Sequence, residues 1–217
     1  MRWSDLDPIW QAAVDQAWQA RLCGSYPIGA VITNANGDIL VRGRNHIHDE
    51  IIEGRNQISR SKIAHAEINA LAQITSSDEK SSPILRLYTT LEPCPLCFGA
   101  FYVSKVRELY YAARDAFGGS TNLIRKTTYL SNKPKQIFAP LIPELEIIIV
   151  ALLTEFYIDS NIPEQAMITS TLNDQVPQGV ALGNSLCQSQ IIQLWIQEKV
   201  GTAVCIDQLF ILAEDYA

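Results

Sequence analysis

A membrane-spanning segment is the first thing that the sequence lacks: no apolar run approaches the roughly 18 residues that a helix needs to cross a bilayer. A secretion signal is missing as well, because Met1-Arg2-Trp3-Ser4-Asp5 is not followed by an apolar signal-peptide core. Internal repeats are absent too. We therefore expect a cytoplasmic protein that has no membrane partner.

Positive charge is scarce near the C-terminus. Residues 141–217 contain a single lysine, Lys199, against 10 acidic residues, a net charge of −9. Residues 1–140 contain 16 lysines and arginines against 13 acidic residues, so they carry +3 and the whole chain carries −6. Nucleic-acid-binding domains usually show clustered basic residues and a high pI. The sequence does not show this, although residues 1–140 could accept a substrate that bears a phosphate.

Cysteines are few and odd in number. Five cysteines in a chain expected to be cytoplasmic favour thiol or metal chemistry over a disulfide framework. Three of them, Cys23, Cys187 and Cys205, lie outside any motif, and we expect them to be buried apolar side chains.

The chain is long enough for one sizeable domain with an appendage, and its 47% hydrophobic content is typical of a globular protein with a real core. Residues 160–180 are rich in Ser, Asn, Gln, Pro and Thr, which predicts a connector. We therefore expect a motif-bearing domain over residues 1–158, followed by a connector and a helical C-terminal extension over residues 159–217.

Strands that alternate with helices are predicted by the apolar pattern, which is typical of an α/β sheet covered on both faces. Asp7-Pro8 predicts the start of a first helix that ends at Cys23-Gly24. The predicted strands are residues 28–33, 38–44, 85–90, 109–113 and 147–150. Further helices are predicted at about 65–75, 95–103, 186–199 and about 204–214, with loops at 45–62 and 76–83.

Two short motifs carry the chemistry. His65-Ala66-Glu67 is followed, after 25 intervening residues, by Pro93-Cys94-Pro95-Leu96-Cys97. One imidazole and two thiols are ligands that suit Zn²⁺. A structural zinc site normally closes with four protein ligands, so three ligands predict a catalytic site with one position open to water. His65, Cys94 and Cys97 are therefore the predicted metal ligands, and Glu67 is the carboxylate placed to take a proton from that water.

The prolines and the spacing predict how these side chains meet. Cys94 is the predicted N-cap of a helix in which Pro95 is the first residue. A helix N-terminus lowers a thiol's pKa and favours the thiolate that metals require. Within one ideal helix His65 and Glu67 would point about 200° apart, so they share a site only if their motif straddles a helix start. Two helix N-termini that face each other across a metal are the predicted geometry.

Neither motif is specific when it stands alone. A lone Cys-x-x-Cys is as often a redox pair or half of a structural zinc site. His46 and His48 are the candidates for a fourth ligand, and we expect both to be solvated or hydrogen-bonded bystanders. A non-catalytic zinc-binding domain is the least favoured interpretation, and a fourth protein ligand would support it.

Further stretches extend the pattern beyond the metal motifs. They occur in the order Pro27-Ile28-Gly29-Ala30-Val31, Gly43-Arg44-Asn45, His65-Ala66-Glu67-Ile68-Asn69-Ala70-Leu71, Thr90-Leu91-Glu92-Pro93-Cys94 and Cys97-Phe98-Gly99-Ala100. On these motifs the chain resembles the cytidine deaminase-like superfamily, and within it the branch of guanine deaminases, cytosine deaminases and tRNA adenosine deaminases. The resemblance covers about residues 8–158.

This resemblance implies a three-layer α/β/α fold with a five-stranded mixed sheet, and a homodimer. It implies zinc ligands at His65, Cys94 and Cys97 and a proton shuttle at Glu67. It also implies a substrate-binding asparagine at Asn45, whose structural alternative is to cap the loop at a strand end. The implied reaction is hydrolytic deamination of a nucleobase or nucleoside with release of ammonia.

Smaller features bear on the substrate. Pro95 and the strand Tyr110-Tyr111-Ala112-Ala113 resemble the corresponding motifs of guanine deaminases. The stretch Ala113-Arg114-Asp115-Ala116, followed by glycines, resembles the corresponding motif of the tRNA adenosine deaminases. Ser59-Arg60-Ser61-Lys62-Ile63-Ala64 lacks the Asp-Pro-Thr-Ala that both groups often carry. We favour a free, guanine-like purine; the alternatives are a tRNA adenosine deaminase and a cytosine or cytidine deaminase.

Two other segments have predicted roles. The basic residues of 125–135 could bind phosphates, although a solvated loop face is favoured; they are Arg125, Lys126, Lys133 and Lys135. The C-terminal extension is similar in position to the segment that guanine deaminases exchange between subunits to close the site, and ordinary dimer packing explains it equally well.

Overall fold

The computed structural model describes residues 1–50, 56–138 and 142–216, which contain a five-stranded sheet covered by helices. The order across the sheet is β2-β1-β3-β4-β5, with β1 antiparallel to both its neighbours and β3, β4 and β5 parallel. The predicted α/β fold with a mixed five-stranded sheet is confirmed. The strands are β1 (Gly29–Thr33), β2 (Ile39–Arg44), β3 (Arg86–Leu91), β4 (Glu108–Ala113) and β5 (Gln136–Phe138).

Two of the helices begin where the sequence predicts, since Asp7 and Cys94 each precede a proline at the first helical position. Short 3₁₀ turns lie at Trp3–Asp5, Thr121–Leu123 and Glu214–Tyr216. The helices are α1 (Pro8–Leu22), α2 (Ala66–Leu71), α3 (Ser76–Ser81), α4 (Pro95–Val103), α5 (Thr128–Ser131), α6 (Pro143–Asp159), α7 (Gln165–Gln175), α8 (Pro177–Ser189), α9 (Ile191–Gln197) and α10 (Thr202–Ala213).

The two faces of the sheet bury separate cores, which gives the three-layer α/β/α arrangement. Successive side chains of a strand point to opposite faces. Leu87 accordingly packs with α2 and α4, whereas Tyr88 packs on the side of α1, α6, α8 and α10. Both sequence motifs lie in the layer formed by α2 and α4, so this layer carries the candidate chemistry.

Gly43 of β2 allows α2 to lie directly on the sheet. A Cβ at this position would come within 2.4 Å of the Ala66 carbonyl oxygen and 2.5 Å of the Ala70 nitrogen. Any side chain there would push α2 away from the strand. Because His65 and Glu67 stand at the start of α2, the close approach at Gly43 sets how deeply these two side chains lie.

One predicted strand is wrong, because a short apolar run does not distinguish a strand from a buried helix. Residues 147–150 lie inside α6, which is buried along most of its length. The start of α6 is marked by Pro143 at its first position and by acidic residues in its first turn. The last strand is instead β5, whose three residues are too few to display a pattern.

Helices also form in segments predicted as irregular. The predicted loop 76–83 contains α3, which begins with a capping box between Thr75 and Asp78. The predicted connector 160–180 contains α7 and the start of α8. Both segments are largely polar and neither shows a clear apolar stripe, so the apolar pattern does not predict these helices. The predicted helix at 65–75 ends earlier, at Leu71, and residues 51–55 of the predicted loop 45–62 lie outside the described residues.

The helices after residue 158 pack on the rest of the chain. The Trp195 ring of α9 meets Trp18 of α1 edge-on, with ring centroids 6.4 Å apart. The Trp3 backbone N–H donates to Asp207 of α10 at 2.6 Å. The division at residue 158 stays a prediction, and residues on both sides of it share one apolar core. Among the helices of the described ranges, none is long and apolar enough to cross a membrane.

Replacing Gly183 of α8 with alanine is expected to destabilise the fold by about 1–3 kcal/mol, the usual cost of overpacking. The added Cβ would lie 2.5 Å from Thr154 Cβ and 2.7 Å from the Ala151 carbonyl oxygen, so α6 and α8 would move apart.

Gly99→Ala is the matched control for that change when the variants are unfolded at a concentration where the protein is a single chain, because Gly99 shares the exposed face of α4 with Leu96 and Val103. No atom lies within 4 Å of a Cβ at Gly99, and loss of a helical glycine should stabilise by about 0.5–1 kcal/mol. Thermal unfolding followed by circular dichroism measures both variants. A Gly183→Ala protein as stable as the wild type would contradict the close packing of α8 on α6.

Candidate metal centre and active site

Both motifs stand at helix N-termini, as the sequence predicts. His65 is the N-cap of α2 and Cys94 is the N-cap of α4, and both have extended backbone angles. Cys97 lies in the first turn of α4. Because an N-cap residue lies outside the regular spiral, His65 and Glu67 can point toward one place although they are two residues apart.

The far end of α4 is also fixed. The buried Lys135 ammonium donates to the carbonyl oxygens of Phe101 at 2.7 Å and Ser104 at 2.9 Å, and to that of Val106. A cation there satisfies carbonyls at the C-terminus of the helix and interacts favourably with its dipole. Lys135 is therefore a structural residue that anchors the helix carrying both thiols.

Three ligand atoms meet between the two helix starts. His65 Nδ1 lies 3.5 Å from Cys94 Sγ and 3.4 Å from Cys97 Sγ, and the three atoms lie within 4.8 Å of one another. Tetrahedral zinc, with Zn–S near 2.3 Å and Zn–N near 2.0–2.1 Å, separates such atoms by about 3.5 Å. The donor set and its spacing therefore fit zinc. Among the described residues, these three form the group that could hold a metal ion.

A backbone contact orients the His65 ring. Its Nε2 lies 3.1 Å from the Lys62 carbonyl oxygen, where an Nε2–H donates and leaves the Nδ1 lone pair toward the thiols. Metal-binding histidines are commonly held by such a contact, which fixes the tautomer and increases the basicity of the ligand nitrogen.

The two thiols differ strongly in acidity. The hydrogen bond with Cys97 lowers the pKa of Cys94 to about 4, burial opposes this shift, and the contact with His65 adds to it. The same pairing, together with burial, raises the pKa of Cys97 well above its ordinary value. Cys94 is thus the thiol of the pair that ionises more readily, and the thiolate is the form in which cysteine binds metals.

Glu67 lies in the first turn of α2 and is only 4% exposed. Its Oε2 lies 3.3 Å from the Cys97 sulfur. Burial is the main cause that raises the pKa of this carboxyl, and the charge on Cys94 also raises it. A carboxyl group with a raised pKa accepts and releases protons more readily near neutral pH, which suits general acid–base catalysis.

A cavity of about 590 Å³ opens beside the ligands, and His65, Glu67 and Cys94 lie on its wall. This volume is in the range of small-molecule sites. Apolar side chains form much of the remaining wall, namely Ile28, Ile47, Leu91, Ile162 and Ile168. The position of the candidate ligands therefore faces a space that can accept a small flat ring.

Asn45 lies on the same wall and is buried, 1% exposed. Its Oδ1 accepts a hydrogen bond from the Ile47 N–H at 3.0 Å, which is the loop-capping contact expected as the structural alternative. The Nδ2 group makes no hydrogen bond within the described part of the chain, so it stays available to a ligand. One side chain can thus serve both roles.

Asp49 fixes the loop that carries Asn45. Its carboxylate accepts hydrogen bonds from Ser25 at 2.8 Å, from His46 Nδ1 at 2.9 Å and from Arg44. Burial opposes its ionisation, and the contacts with Arg44 and Ser25 nevertheless lower the pKa of Asp49. His46 is therefore a buried, hydrogen-bonded histidine, as predicted, and its ring faces Asp49. The His48 ring stacks on Tyr26, with centroids 5.9 Å apart.

The sequence interpretation missed the role of Glu92. Its carboxylate accepts hydrogen bonds from the backbone N–H of Asp115 at 3.2 Å and of Thr121 at 3.1 Å. These contacts tie the loop after β4 to the segment that leads into Cys94. The signal that could have identified this residue is a carboxylate directly before Pro93-Cys94, at the end of a buried strand.

The prediction that the three cysteines outside the motifs are buried is confirmed for one of them. Cys205 is buried as predicted, but Cys23 is exposed and Cys187 is half-buried, so the prediction is wrong for these two. Both lie near the ends of surface helices, where burial cannot be inferred from residue type.

In the basic segment 125–135, Arg125 is exposed, whereas Lys135 points inward to cap α4.

Comparison with known proteins agrees with this geometry. A tRNA-specific adenosine deaminase of Bacillus subtilis (strain 168) is 33% identical over 119 residues, which cover 52% of this chain and 64% of that protein. The guanine deaminase of the same strain is 33% identical over 90 residues, 40% of this chain and 50% of that protein. The solved structure of a guanine deaminase from Nitrosomonas europaea has a TM-score of 0.50 at 26% identity, covering 70% of this chain and 93% of that one.

The chain spans less than two thirds of the length of these curated relatives. The family match runs over residues 4–113 and includes both motifs and all three candidate zinc ligands. It covers half of the chain and the strands and helices that build the metal position. The chain therefore belongs to the family described as the cytidine and deoxycytidylate deaminase zinc-binding region.

Proposed function

We propose that this chain is a zinc-dependent hydrolase that deaminates a free nucleobase, with a guanine-like purine favoured, and releases ammonia. The observation that carries the proposal is the buried Glu67 carboxyl, which lies 3.3 Å from a candidate zinc ligand on the wall of a cavity suited to a small molecule. His65, Cys94 and Cys97 would hold the zinc ion. Zinc in such a site supplies Lewis-acid chemistry that lowers the pKa of water toward about 7.

Glu67 carries the protons of the reaction. Its carboxylate accepts a proton from the attacking water and delivers it to the ring nitrogen next to the reacting carbon. As the C–O bond forms and the C–N bond breaks, a proton passes through the same carboxyl to the departing amino group, which leaves as ammonia. The burial of Glu67 excludes solvent that would compete for these protons.

The charge of the cavity wall favours a free base over a phosphate-bearing substrate. Besides Glu67, the wall contains the carboxyl groups of Glu92, Asp115 and Glu164, whereas Lys62, His48 and the candidate ligand His65 are the basic side chains that the described residues place there. A phosphate would be repelled by this excess of acidic groups. The ring nitrogens and amino groups of a base can instead donate hydrogen bonds to them.

Two alternatives have specific support. Similarity to a tRNA-specific adenosine deaminase and the Ala113-Arg114-Asp115-Ala116 stretch favour tRNA as a substrate. Similarity to the cytosine deaminase of Candida albicans (strain SC5314 / ATCC MYA-2876), 30% identical over 114 residues, favours a pyrimidine. A non-catalytic zinc domain remains the least supported, because a fourth ligand would be needed and the described residues offer three.

An ammonia-release assay tests the proposal. Guanine, adenine, cytosine, their nucleosides and a tRNA anticodon stem-loop are each incubated with the zinc-loaded protein. We expect turnover of a free base, strongest with guanine, and little with the stem-loop. Turnover of the stem-loop alone, with an affinity that falls steeply as salt rises, would replace the proposal with the tRNA alternative.

Asn45 is proposed to hold the substrate through its Nδ2 group. The fixed Oδ1 contact with Ile47 keeps this amide in one orientation, so Nδ2–H can donate to an acceptor on the ring.

We also propose the homodimer that the family resemblance implies. The α4 surface opposite the core exposes Leu96 (42%) and Val103 (69%), apolar side chains that a second copy would cover. Sedimentation equilibrium is expected to give twice the chain mass of 24.2 kDa for the wild type and the single-chain mass for Val103→Glu. A monomeric wild type at micromolar concentration would contradict the dimer.

A further inference from the structure

A second cleft, of about 490 Å³, opens at the end of the sheet where β3 and β4 begin. Leu85 and Arg107 form its side on the sheet, and Lys80 forms its side on α3. Cys94 follows the other end of β3, so the cleft and the candidate zinc position lie at opposite ends of this strand. β3 has 6 residues, and at about 3.3 Å per residue the two places are roughly 20 Å apart.

The charged side chains that line this cleft are all basic. They are Lys80, Lys105 and Arg107, and no acidic side chain that the structure describes lies on the same wall. Within the described part of the chain, none of the three makes an ion pair. The cleft therefore concentrates positive charge in one recess.

Carboxylates close in sequence to these cations are held by other partners. Asp78 of α3 accepts hydrogen bonds from the N–H of Thr75 at 2.8 Å and from its hydroxyl at 2.7 Å. Glu108 of β4 accepts a hydrogen bond from Arg86 at 2.7 Å. Among the side chains that the structure describes, the three positive charges of the cleft thus lack a counter-charge.

The backbone that carries Arg107 is fixed on both sides. Its N–H donates to the Leu85 carbonyl oxygen at 2.8 Å, and its carbonyl oxygen accepts from the Gln136 N–H at 3.0 Å. A guanidinium presents its donors in a planar fork that matches the geometry of phosphate, whereas a lysine binds phosphate as a point charge. The cleft combines one such fork on a rigid strand with the two ammonium groups of Lys80 and Lys105.

Lys135 shows how crowded the positive charge is at this end of the sheet. Burial, and next the charges of Arg107, Lys133 and Lys105, lower the pKa of Lys135 to about 7. The Lys135 ammonium is held by the carbonyl oxygens of Phe101 and Ser104, so it stays within this field. An anion among the surrounding side chains would reduce their mutual repulsion.

We propose that this cleft is a second ligand site, which binds the di- or triphosphate group of a small anion, either a nucleotide or inorganic polyphosphate. Its volume is in the range of small-molecule sites. A nucleic-acid strand is bound by basic groups that follow its backbone along a groove, whereas three that line one recess suit a compact anion. The site is independent of the proposed function, because it shares no residue with the cavity beside the candidate zinc ligands.

Isothermal titration calorimetry of the zinc-loaded protein tests this inference, with inorganic triphosphate in one arm and a nucleoside triphosphate in the other. Lys80→Gln combined with Lys105→Gln removes two of the three charges, and both side chains are exposed, so the fold should stay intact. We expect triphosphate to bind this double variant about 10-fold more weakly or less, since a hydrogen bond to a charged group contributes at least that factor. Thermal unfolding checks the fold. Binding in both arms identifies a nucleotide site, and binding of inorganic triphosphate alone identifies a polyphosphate site.

Lys126→Gln combined with Lys199→Gln is the matched control, because it removes the same charge from two exposed lysines outside the cleft. It should bind triphosphate within about twofold of the wild type, since surface charges that do not touch the anion are largely screened at physiological salt. An equal loss in both double variants would show attraction by net charge alone, and unchanged binding in both would place the anion elsewhere, for example at the zinc position. Either result would overturn the inference, as would a wild type that binds no triphosphate at millimolar concentration. A short single-stranded RNA that binds more tightly than triphosphate, and that the control variant also weakens, would replace the site with a nucleic-acid surface.

Discussion

Replacing Glu67 with glutamine is expected to lower kcat by about 10²–10⁴-fold, the usual contribution of a positioned general acid–base group. Glutamine has nearly the same shape and can still contact Cys97, but its amide cannot accept and release the proton. Because Glu67 is not one of the three ligand residues, zinc content should stay at the wild-type level. Ammonia release and metal analysis on the same preparation measure the two quantities.

Glu92→Gln separates proton transfer from the general effect of losing a carboxylate at this site. Glu92 lies on the cavity wall but its oxygens accept hydrogen bonds from the backbone of Asp115 and Thr121. The amide of glutamine can preserve only part of these contacts, so we expect a smaller loss that comes from misplacement of the loop. Turnover by Glu67→Gln within a factor of ten of the wild type would remove Glu67 from the mechanism.

The second large effect concerns stability. Replacing Arg21 with methionine is expected to destabilise the fold by about 3–5 kcal/mol, because it leaves a buried carboxylate without its partner. Arg21 of α1 donates to Glu155 of α6 at 2.8 Å and 3.0 Å and to Asp159 at 2.9 Å. The side chains of Arg21 and Glu155 are 5% and 2% exposed, so water cannot replace the lost contact.

Urea unfolding of three variants gives this prediction its controls. Arg21→Met with Glu155→Met should recover much of the lost stability, because the apolar pair leaves no buried charge. Arg42→Met, at an exposed arginine of β2, should change stability by less than about 0.5 kcal/mol. If Arg21→Met lost no more stability than Arg42→Met, the buried pair would not be holding α1 to α6.

Local cues in the sequence predict how the three candidate metal ligands are arranged. A proline directly after Cys94 places that thiol at a helix start, and the spacing to Cys97 then directs the second thiol to the same side. His65 and Glu67 would point about 200° apart within one regular helix, so they can share a site only if the helix starts at His65. In the structure His65 is the N-cap of α2. These inferences succeed because each involves a few neighbouring residues whose geometry is set by the backbone.

The rest of the site depends on contacts between residues distant in sequence. The placement of Tyr157 at the cavity depends on the direction of α6, a helix in which the apolar pattern of residues 147–150 predicts a strand. The role of Glu92 depends on a loop 23 to 29 residues further along the chain. Strand and helix cannot be told apart from a run such as Ile147-Ile148-Ile149-Val150, whose burial depends on what packs around it.

The corner between α6 and α7, where Ile162 and Ile168 lie on the cavity wall, also bears on how the proposed activity could diversify. The residues that would bind zinc and move protons lie before residue 98, while one side of the adjoining cavity is built after residue 156. Changes in the second stretch can therefore alter the shape offered to a ring without disturbing a ligand bond. Exchanging the residues of that corner between related proteins would therefore be a way to change substrate preference while the metal ligands stay the same.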